Sequence, residues 1–345
     1  MNTTKIVVSG YIGFDNFGDE ALLSVLLKNL KSKNCDITVI SSNPSKTKFI
    51  HKVKTIKTFN ILGIINAILN SDVLISGGGS LLQDKTSLKS LLDYLFIILC
   101  AKFFKKKIII YSQGIGPINT PFAKLLTKLT LKNCDLLSVR DEKSLFLLRG
   151  WGIKNVDLES DAVFNIELPK YTPQNKVGIQ LRNWKYLSED FINELANQII
   201  QNFSDKEIIL FSFQDELDYT LCQKFQTILT LKAPHINTKI VQNNYANDIV
   251  EYFKTLEYLI AMRFHACLLA TKFGIKTLAI NYDEKVEKLA KSASIPIINL
   301  DEKNKLEQKI EELKNLNVSQ MLNFANSQKF NFEKINNLIS PKYKL

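Results

Sequence analysis

The sequence predicts an α/β protein of two doubly wound, Rossmann-like domains, each a parallel sheet covered by helices. Three observations carry this reading. Short apolar runs alternate with longer helical patterns along the whole chain, which is the signature of βαβ units. A length of 345 residues is too great for one comfortable core and suits two. Pro169-Lys-Tyr-Thr-Pro173-Gln-Asn breaks the pattern near the middle with two prolines and polar residues. The expected division is residues 1–168, a linker at 169–175, and residues 176–345, with one or two Lys/Glu/Asn-rich helices closing the chain after Asp301. Two domains imply a cleft, and the active site is expected there.

In the first half the strand candidates are Ile6–Tyr11, Ile37–Ser41, Asp72–Ser76, Ile108–Ser112 and Leu136–Val139, with helices near 18–32, 60–70, 87–104, 120–133 and 142–150. The most apolar stretch, Leu91–Phe104, carries Asp93 and Lys102 and stops at Lys105-Lys106-Lys107. That is short of the roughly 20 apolar residues a membrane span requires, so a buried helix is expected. The second half repeats the alternation with strands Val177–Leu181, Ile208–Phe213, Thr238–Val241, Tyr258–Ala261, Thr277–Ile280 and Ile297–Leu300.

Composition narrows the function. With 46% hydrophobic and 23% charged residues, the chain is neither disordered, collagen-like nor a polytopic membrane protein. A net charge of +11 favours anionic partners: phosphorylated small molecules, nucleic acid or an acidic membrane face. Nucleic acid is disfavoured because no stripe interleaves basic and aromatic residues. The Lys-rich surface suits a peripheral visit to an anionic membrane. Five widely spaced cysteines in apolar runs indicate neither disulfides nor a zinc site, and Met1 leads into Ile6-Val7-Val8 without a signal-peptide pattern, so a cytoplasmic setting is expected. Arginine occurs only at 140, 149, 182 and 263 in a chain rich in lysine, which directs attention to places needing a planar, bidentate cation.

Open parallel sheets bind ligands beyond the carboxyl ends of their strands, so those positions are the candidates. After the first strand, Ser9-Gly-Tyr-Ile-Gly-Phe-Asp-Asn16-Phe-Gly-Asp19-Glu20-Ala21 offers glycine turns and a helix start. Its spacing is not a dinucleotide fingerprint. Asp19 and Glu20 would repel a pyrophosphate and favour a sugar hydroxyl, although they also complement the helix dipole. Ser76-Gly77-Gly78-Gly79-Ser80 implies close approach of a ligand or another backbone, and Gln113 in Ser112-Gln-Gly-Ile-Gly-Pro117 can bond a hydroxyl or simply sit in a turn. Arg140, beside Asp141, ends the fifth strand and reads as a ligand contact or a local ion pair; Arg182, in Gln180-Leu-Arg-Asn-Trp184, repeats the placement in the second half, and the two would face each other across the cleft. In Ala261-Met-Arg263-Phe-His265-Ala266 a strand gives way to a helix whose start can hold an anion, with a histidine able to exchange protons near neutral pH. Arg263 and His265 also fit buried structural roles. Lys285 follows the next strand and suits a phosphate oxygen or plain solvent. No Gly-x-Ser-x-Gly, Walker loop, His-Glu-x-x-His or Cys-x-x-Cys occurs, so serine hydrolases, P-loop NTPases and zinc enzymes have no support and no metal is expected.

The ordered set Gly10-Tyr-Ile-Gly-Phe-Asp-Asn-Phe-Gly-Asp-Glu-Ala21, Ser76-Gly-Gly-Gly-Ser-Leu-Leu-Gln-Asp84, Ser112-Gln-Gly-Ile-Gly-Pro117, Ser138-Val-Arg-Asp141, Ser160-Asp-Ala-Val-Phe164 and Arg263-Phe-His-Ala266 resembles the polysaccharide pyruvyltransferases, and most nearly the branch that pyruvylates cell-wall polysaccharide anchoring S-layers. The resemblance implies a GT-B-like fold, phosphoenolpyruvate as donor substrate with no cofactor, a polymeric or lipid-linked sugar acceptor, and a cyclic pyruvate ketal as product. It assigns donor contacts to Arg140, His265 and Lys285, supported by Arg182 and Arg263, with Arg182 competing with Arg140 for the donor carboxylate. His265 is the expected general acid. Asp19 or Glu20 is expected to position or deprotonate an acceptor bound near Asn16, Gly78 and Gln113. A sugar-nucleotide glycosyltransferase and a non-catalytic polysaccharide-binding protein are the alternatives.

Overall fold

The computed structural model describes residues 3–243 and 246–340. The chain divides into two compact units, residues 1–166 with 329–345, and residues 167–328.

The first unit runs β1 (Thr4–Ser9), α1 (Phe17–Lys31), β2 (Cys35–Ser41), α2 (Pro44–His51), β3 (Lys54–Lys57), α3 (Ile61–Leu69), β4 (Val73–Ser76), β5 (Gly79–Leu82), α4 (Leu88–Phe103), β6 (Lys107–Ile115), α5 (Pro121–Leu131), β7 (Leu136–Val139), α6 (Glu142–Gly150) and β8 (Asp157–Leu158). Its sheet is parallel, in the order β3-β2-β1-β4-β6-β7-β8, with β5 pairing β6. The order reverses between β1 and β4, where Ser9 is in register with Ser76. Central strands are apolar and buried on both faces, as helices on both sides demand. The core gathers Val7, Leu74, Ile108 and Ile110 from the strands with Leu91, Leu95 and Ile98 from α4.

The second unit runs β9 (Lys176–Gln180), α7 (Glu189–Phe203), β10 (Glu207–Ser212), α8 (Asp215–Lys232), β11 (Thr238–Gln242), α9 (Ala246–Phe253), β12 (Tyr258–Ala261), α10 (Phe264–Phe273), β13 (Lys276–Asn281), α11 (Glu284–Ser292), β14 (Ile297–Asn299), α12 (Leu306–Lys314) and α13 (Ser319–Ser327). The parallel order β11-β10-β9-β12-β13-β14 again reverses beside the first strand, with Gln180 in register with Ala261. Helix α10 stops at Gly274, whose φ of 72° is the left-handed conformation glycine adopts at helix ends.

The sequence reading missed α2, β3, β5 and β8. It also ended the fourth expected strand too early: β6 runs on to Ile115, so Gln113 lies inside a strand and not in a turn. The domain division differs at both expected edges. Residues of the expected linker belong to the second unit, where Thr172 N and Gln174 N donate to Lys254 O and Thr255 O at 2.8 and 2.9 Å. From Lys329 onward the chain returns to the first unit. There Asn165 and Phe330 exchange two bonds of 2.8 and 2.9 Å, Phe330 packs edge-on against Tyr111, and α14 (Glu333–Ile339) is tied to β1 by Thr4 Oγ1 donating to Ile339 O at 2.8 Å.

Candidate functional site

In the first unit the crevice between β1 and β4 is built from two glycine loops. Gly13 adopts φ 80°, and its N–H donates to Glu20 Oε1 at 2.8 Å; Glu20 Oε2 lies 3.5 Å from His51 Nε2 at the end of α2. Glu20 therefore clamps the loop to the helix. Asn16 caps α1 by accepting from Gly18 N at 3.0 Å, so its amide oxygen is committed to the helix start. Gly77 N donates to Ser9 O at 2.6 Å. A methyl group on Gly79, at φ +97°, would lie 2.5 Å from Asp19 Oδ1, and one on Gly78 would lie 3.0 Å from Leu22. The glycine triplet thus lets α1 and its Asp19 carboxylate approach the sheet. A narrow pocket lined by Tyr11, Asp19, Gly77, Gly78 and Tyr111 marks the place.

Gln113 is fully buried, and its Nε2 donates to Ser76 Oγ at 3.0 Å and Gly77 O at 2.6 Å. Among the described residues its Oε1 has no hydrogen-bond partner, nor does Tyr111 Oη. A buried acceptor left unmatched costs about 1–3 kcal/mol, and Gln113 carries one beside the crevice. Arg140 is already engaged. Its guanidinium pairs with Asp161 and donates to Ser80 Oγ at 3.1 Å, with the Arg140 and Asp161 side chains 7% and 4% exposed. Its sequence neighbour Asp141 is not the partner: that carboxylate caps α6 at Ser144 N, 2.8 Å away.

The second unit repeats this arrangement at the ends of β9 and β12. Arg263 donates from Nε and Nη2 to both oxygens of Asp218 at 2.7 and 2.6 Å, with the side chains 9% and 0% exposed. Asp218 also accepts from Phe213 N and Gln214 N, each at 3.1 Å, and Gln180 Oε1 accepts from Arg263 N at 2.8 Å. This network locks three strand ends together and occupies the Arg263 fork expected to support the donor. Cys222, on α8 with Asp218, has its thiol pushed up to about 12 by burial and by that carboxylate. Arg182 is different. It packs against the rings of Trp184 and Tyr282, which meet edge to face with centroids 5.2 Å apart and each 5.4 Å from its carbon centre, and donates from Nη1 to Tyr282 Oη at 3.2 Å. Its Nε–H is buried with no partner among the described residues. His265 stands half-buried in the first turn of α10, edge-on to Phe264, and Lys285 is exposed in the first turn of α11, where Asp283 caps the helix.

The structure thus gathers Asp19, Glu20, Gly78 and Gln113 around one switch point and Arg182, Arg263 and His265 around the other. Asp218, Asp161 and His51, which hold the charged members in place, were not expected. Asp161 lies in the Ser160–Phe164 motif; nothing near Asp218 in the sequence marks it. Among the described residues no His/Cys/Asp/Glu cluster could hold a metal ion, and no helix is long and apolar enough to cross a membrane.

Two doubly wound units with charged groups at their switch points define a GT-B-like protein, and solved structures share that architecture. The UDP-GlcNAc 2-epimerase of Methanocaldococcus jannaschii is 12% identical, with a TM-score of 0.65 over 94% of this chain and 99% of that one. The enzyme of the same name from Neisseria meningitidis, bound to UDP-GlcNAc, is 10% identical, with a TM-score of 0.64 over 98% of each chain. Anabaena HepE in complex with UDP and glucose is 11% identical, with a TM-score of 0.62 over 97% and 98%. At such identities the likeness is one of fold. No curated protein matches. Residues 16–284 match the family described as polysaccharide pyruvyl transferase, and the chain belongs to that family.

Proposed function

We propose that the protein transfers pyruvyl from phosphoenolpyruvate to two hydroxyls of a sugar in a cell-wall or exopolysaccharide precursor, forming a cyclic ketal and releasing phosphate. The observation that carries this reading is Arg182, whose buried Nε–H has no partner among the described residues and whose guanidinium packs against the Trp184 and Tyr282 rings. That arrangement suits a small carboxylate. Arg140, closed by Asp161, is left to brace the first unit, so the donor carboxylate goes to Arg182. The N-terminal N–H groups of α10 and the Lys285 ammonium suit the donor phosphate.

His265 then protonates the donor's methylene carbon, which makes the new methyl group and leaves positive charge at C2. One sugar hydroxyl adds there, phosphate departs, and the second hydroxyl closes the ring. Two hydroxyl protons are lost: one replaces that given by His265 and the other leaves with phosphate. Asp19 and the open Oε1 of Gln113 are assigned to the acceptor hydroxyls in the first unit.

The test follows inorganic phosphate and sugar mass after incubation with phosphoenolpyruvate and a panel of nitrophenyl and lipid-linked sugars. Phosphate matched by a pyruvyl ketal supports the reading. His265→Ala should lower turnover about 100- to 10,000-fold with donor affinity little changed, whereas Arg182→Met should weaken donor binding at least tenfold. Donor binding absent in the unaltered protein would overturn it. The fold shared with the UDP-bound structures favours a glycosyltransferase as the second reading, which binding of a nucleotide sugar without any response to phosphoenolpyruvate would support.

A further inference from the structure

Helices α3, α4 and α5 follow connections that all run the same way across the first sheet, from β3 to β4, β5 to β6 and β6 to β7. Right-handed crossovers place them on one face. Each turns an apolar stripe outward as well as inward. On α5 the inward positions are Ala123, Thr127 and Thr130, yet the outward ones are Phe122, Leu125 and Leu129, the first 63% exposed. On α4, Leu92, Phe96, Leu99 and Phe103 recur at helical spacing on the solvent side, and Phe103 is 79% exposed; on α3, Leu62 is 81% exposed. A surface helix of a monomer normally carries its polar residues there.

The charge that accompanies this face has one sign. From Lys57 to Lys132 the chain holds ten lysines against three aspartates, with no glutamate or arginine. One of those aspartates, Asp84, is engaged by Asn119 N and Thr120 N at 2.7–2.9 Å. Lys124 and Lys128 on α5 and Lys132 just past its end follow at intervals of four, and Lys102 Nζ caps the carbonyls at that helix end at 2.6–2.9 Å. Apolar side chains flanked by lysines are the pattern of helices that lie in a lipid interface. A second copy of the chain fits poorly, because it would set lysine against lysine.

We infer that the α3–α4–α5 face docks on an anionic phospholipid surface, with Phe122, Leu125, Leu129 and Phe103 entering the headgroup layer and the α5 lysines meeting lipid phosphates. The proposed transfer reaction gains a location from this but is not needed for it: lipid binding is measured without donor or acceptor, so either reading can fail alone. The full chain is sedimented with phosphatidylcholine vesicles, with and without phosphatidylglycerol, at low and high salt. Binding is expected only to the anionic vesicles and is lost in high salt. Lys124→Glu with Lys128→Glu should lower partitioning by at least about 25-fold, at about fivefold for each lysine lost. Leu125→Ser with Leu129→Ser should weaken it at every salt concentration. Lys124, Leu125 and Leu129 are exposed and Lys128 is half-buried, and an unchanged thermal melt verifies folding of the variants. Equal binding to neutral and anionic vesicles, or binding to neither, overturns the inference. So does a stable dimer in light scattering that Leu125→Glu dissolves, which would make this face a contact between copies.

Discussion

The pairing of Arg263 with Asp218 allows a direct separation of structural from substrate-binding arginines. The perturbation is Asp218→Asn. It removes the negative charge but keeps the shape, leaving the Arg263 guanidinium, 9% exposed, without a counter-charge. Breaking one partner of a buried pair costs about 3–5 kcal/mol. Against a total stability of about 5–15 kcal/mol, that is a large fraction. With an m-value of about 2 kcal/mol/M in urea, the midpoint should fall by about 2 M. The chain has two tryptophans, Trp151 in the first unit and Trp184 in the second, so in a Trp151→Phe background the fluorescence of Trp184 reports unfolding of the unit that holds the pair. Removing Arg263 as well, Arg263→Met with Asp218→Asn, should recover much of the loss, because the stranded charge is gone while the amide oxygen can still accept from Phe213 N and Gln214 N. Arg263→Lys supplies one donor direction in place of a fork and should also destabilise, with the KM for phosphoenolpyruvate of the folded fraction unchanged. A midpoint shift below about 0.5 M, combined with a tenfold rise in that KM, would refute the structural role and return Arg263 to the donor site.

Two further outcomes follow from the geometry. Gly79→Ala forces a side chain into φ +97° and a methyl group to 2.5 Å from Asp19 Oδ1, so thermal melting should show a loss of about 1–3 kcal/mol, and an unchanged melt would contradict the close approach of α1. Burial pushes the Cys267 thiol up from 9.0 to about 12. The unfolded chain therefore releases its proton first as pH rises. Stability from this thiol is complete below pH 9 and declines by about 1.4 kcal/mol for each pH unit above it. Denaturation of Cys267→Ala at pH 8 and pH 10 should show a smaller decline than the unaltered chain, and equal declines would place the thiol in contact with water.

Much of this arrangement was legible because a parallel sheet sends every strand's carboxyl end to the same edge. Once β1, β4, β9 and β12 are recognised as short apolar runs, the positions of Asp19, Gly78, Arg182 and His265 follow without any long-range information. What stayed hidden is which groups neutralise one another. Arg263 finds its carboxylate 45 residues earlier, and Arg140 finds its own 21 residues later and not at the adjacent Asp141. Ion pairing in a folded chain is decided by which strands are neighbours, and local spacing carries no record of it. The missed strands have a related cause. Lys54–Lys57 has two charged ends, and Gly79–Leu82 opens on a glycine, so neither has a strong local pattern; each forms because a partner strand offers it a row of hydrogen bonds. The return of the last helix to the first unit depended on Asn165 and Phe330 finding each other across 165 residues.

The four arginines bring these points together. In a chain that meets most needs for positive charge with lysine, three arginines stand just beyond strand ends and the fourth, Arg149, is exposed in the last turn of α6. Two of the three are closed by buried aspartates, and a fork satisfied by a carboxylate of the protein has little left for a carboxylate of a substrate. The third, Arg182, meets two rings and one hydroxyl, none of which neutralises its charge. Aromatic walls orient the guanidinium while leaving its edge to a ligand. The separation between bracing and binding is therefore made by the partners each arginine has been given, and it explains why neighbouring positions with the same residue type are predicted to respond so differently to substitution: Arg263 through folding, Arg182 through donor affinity.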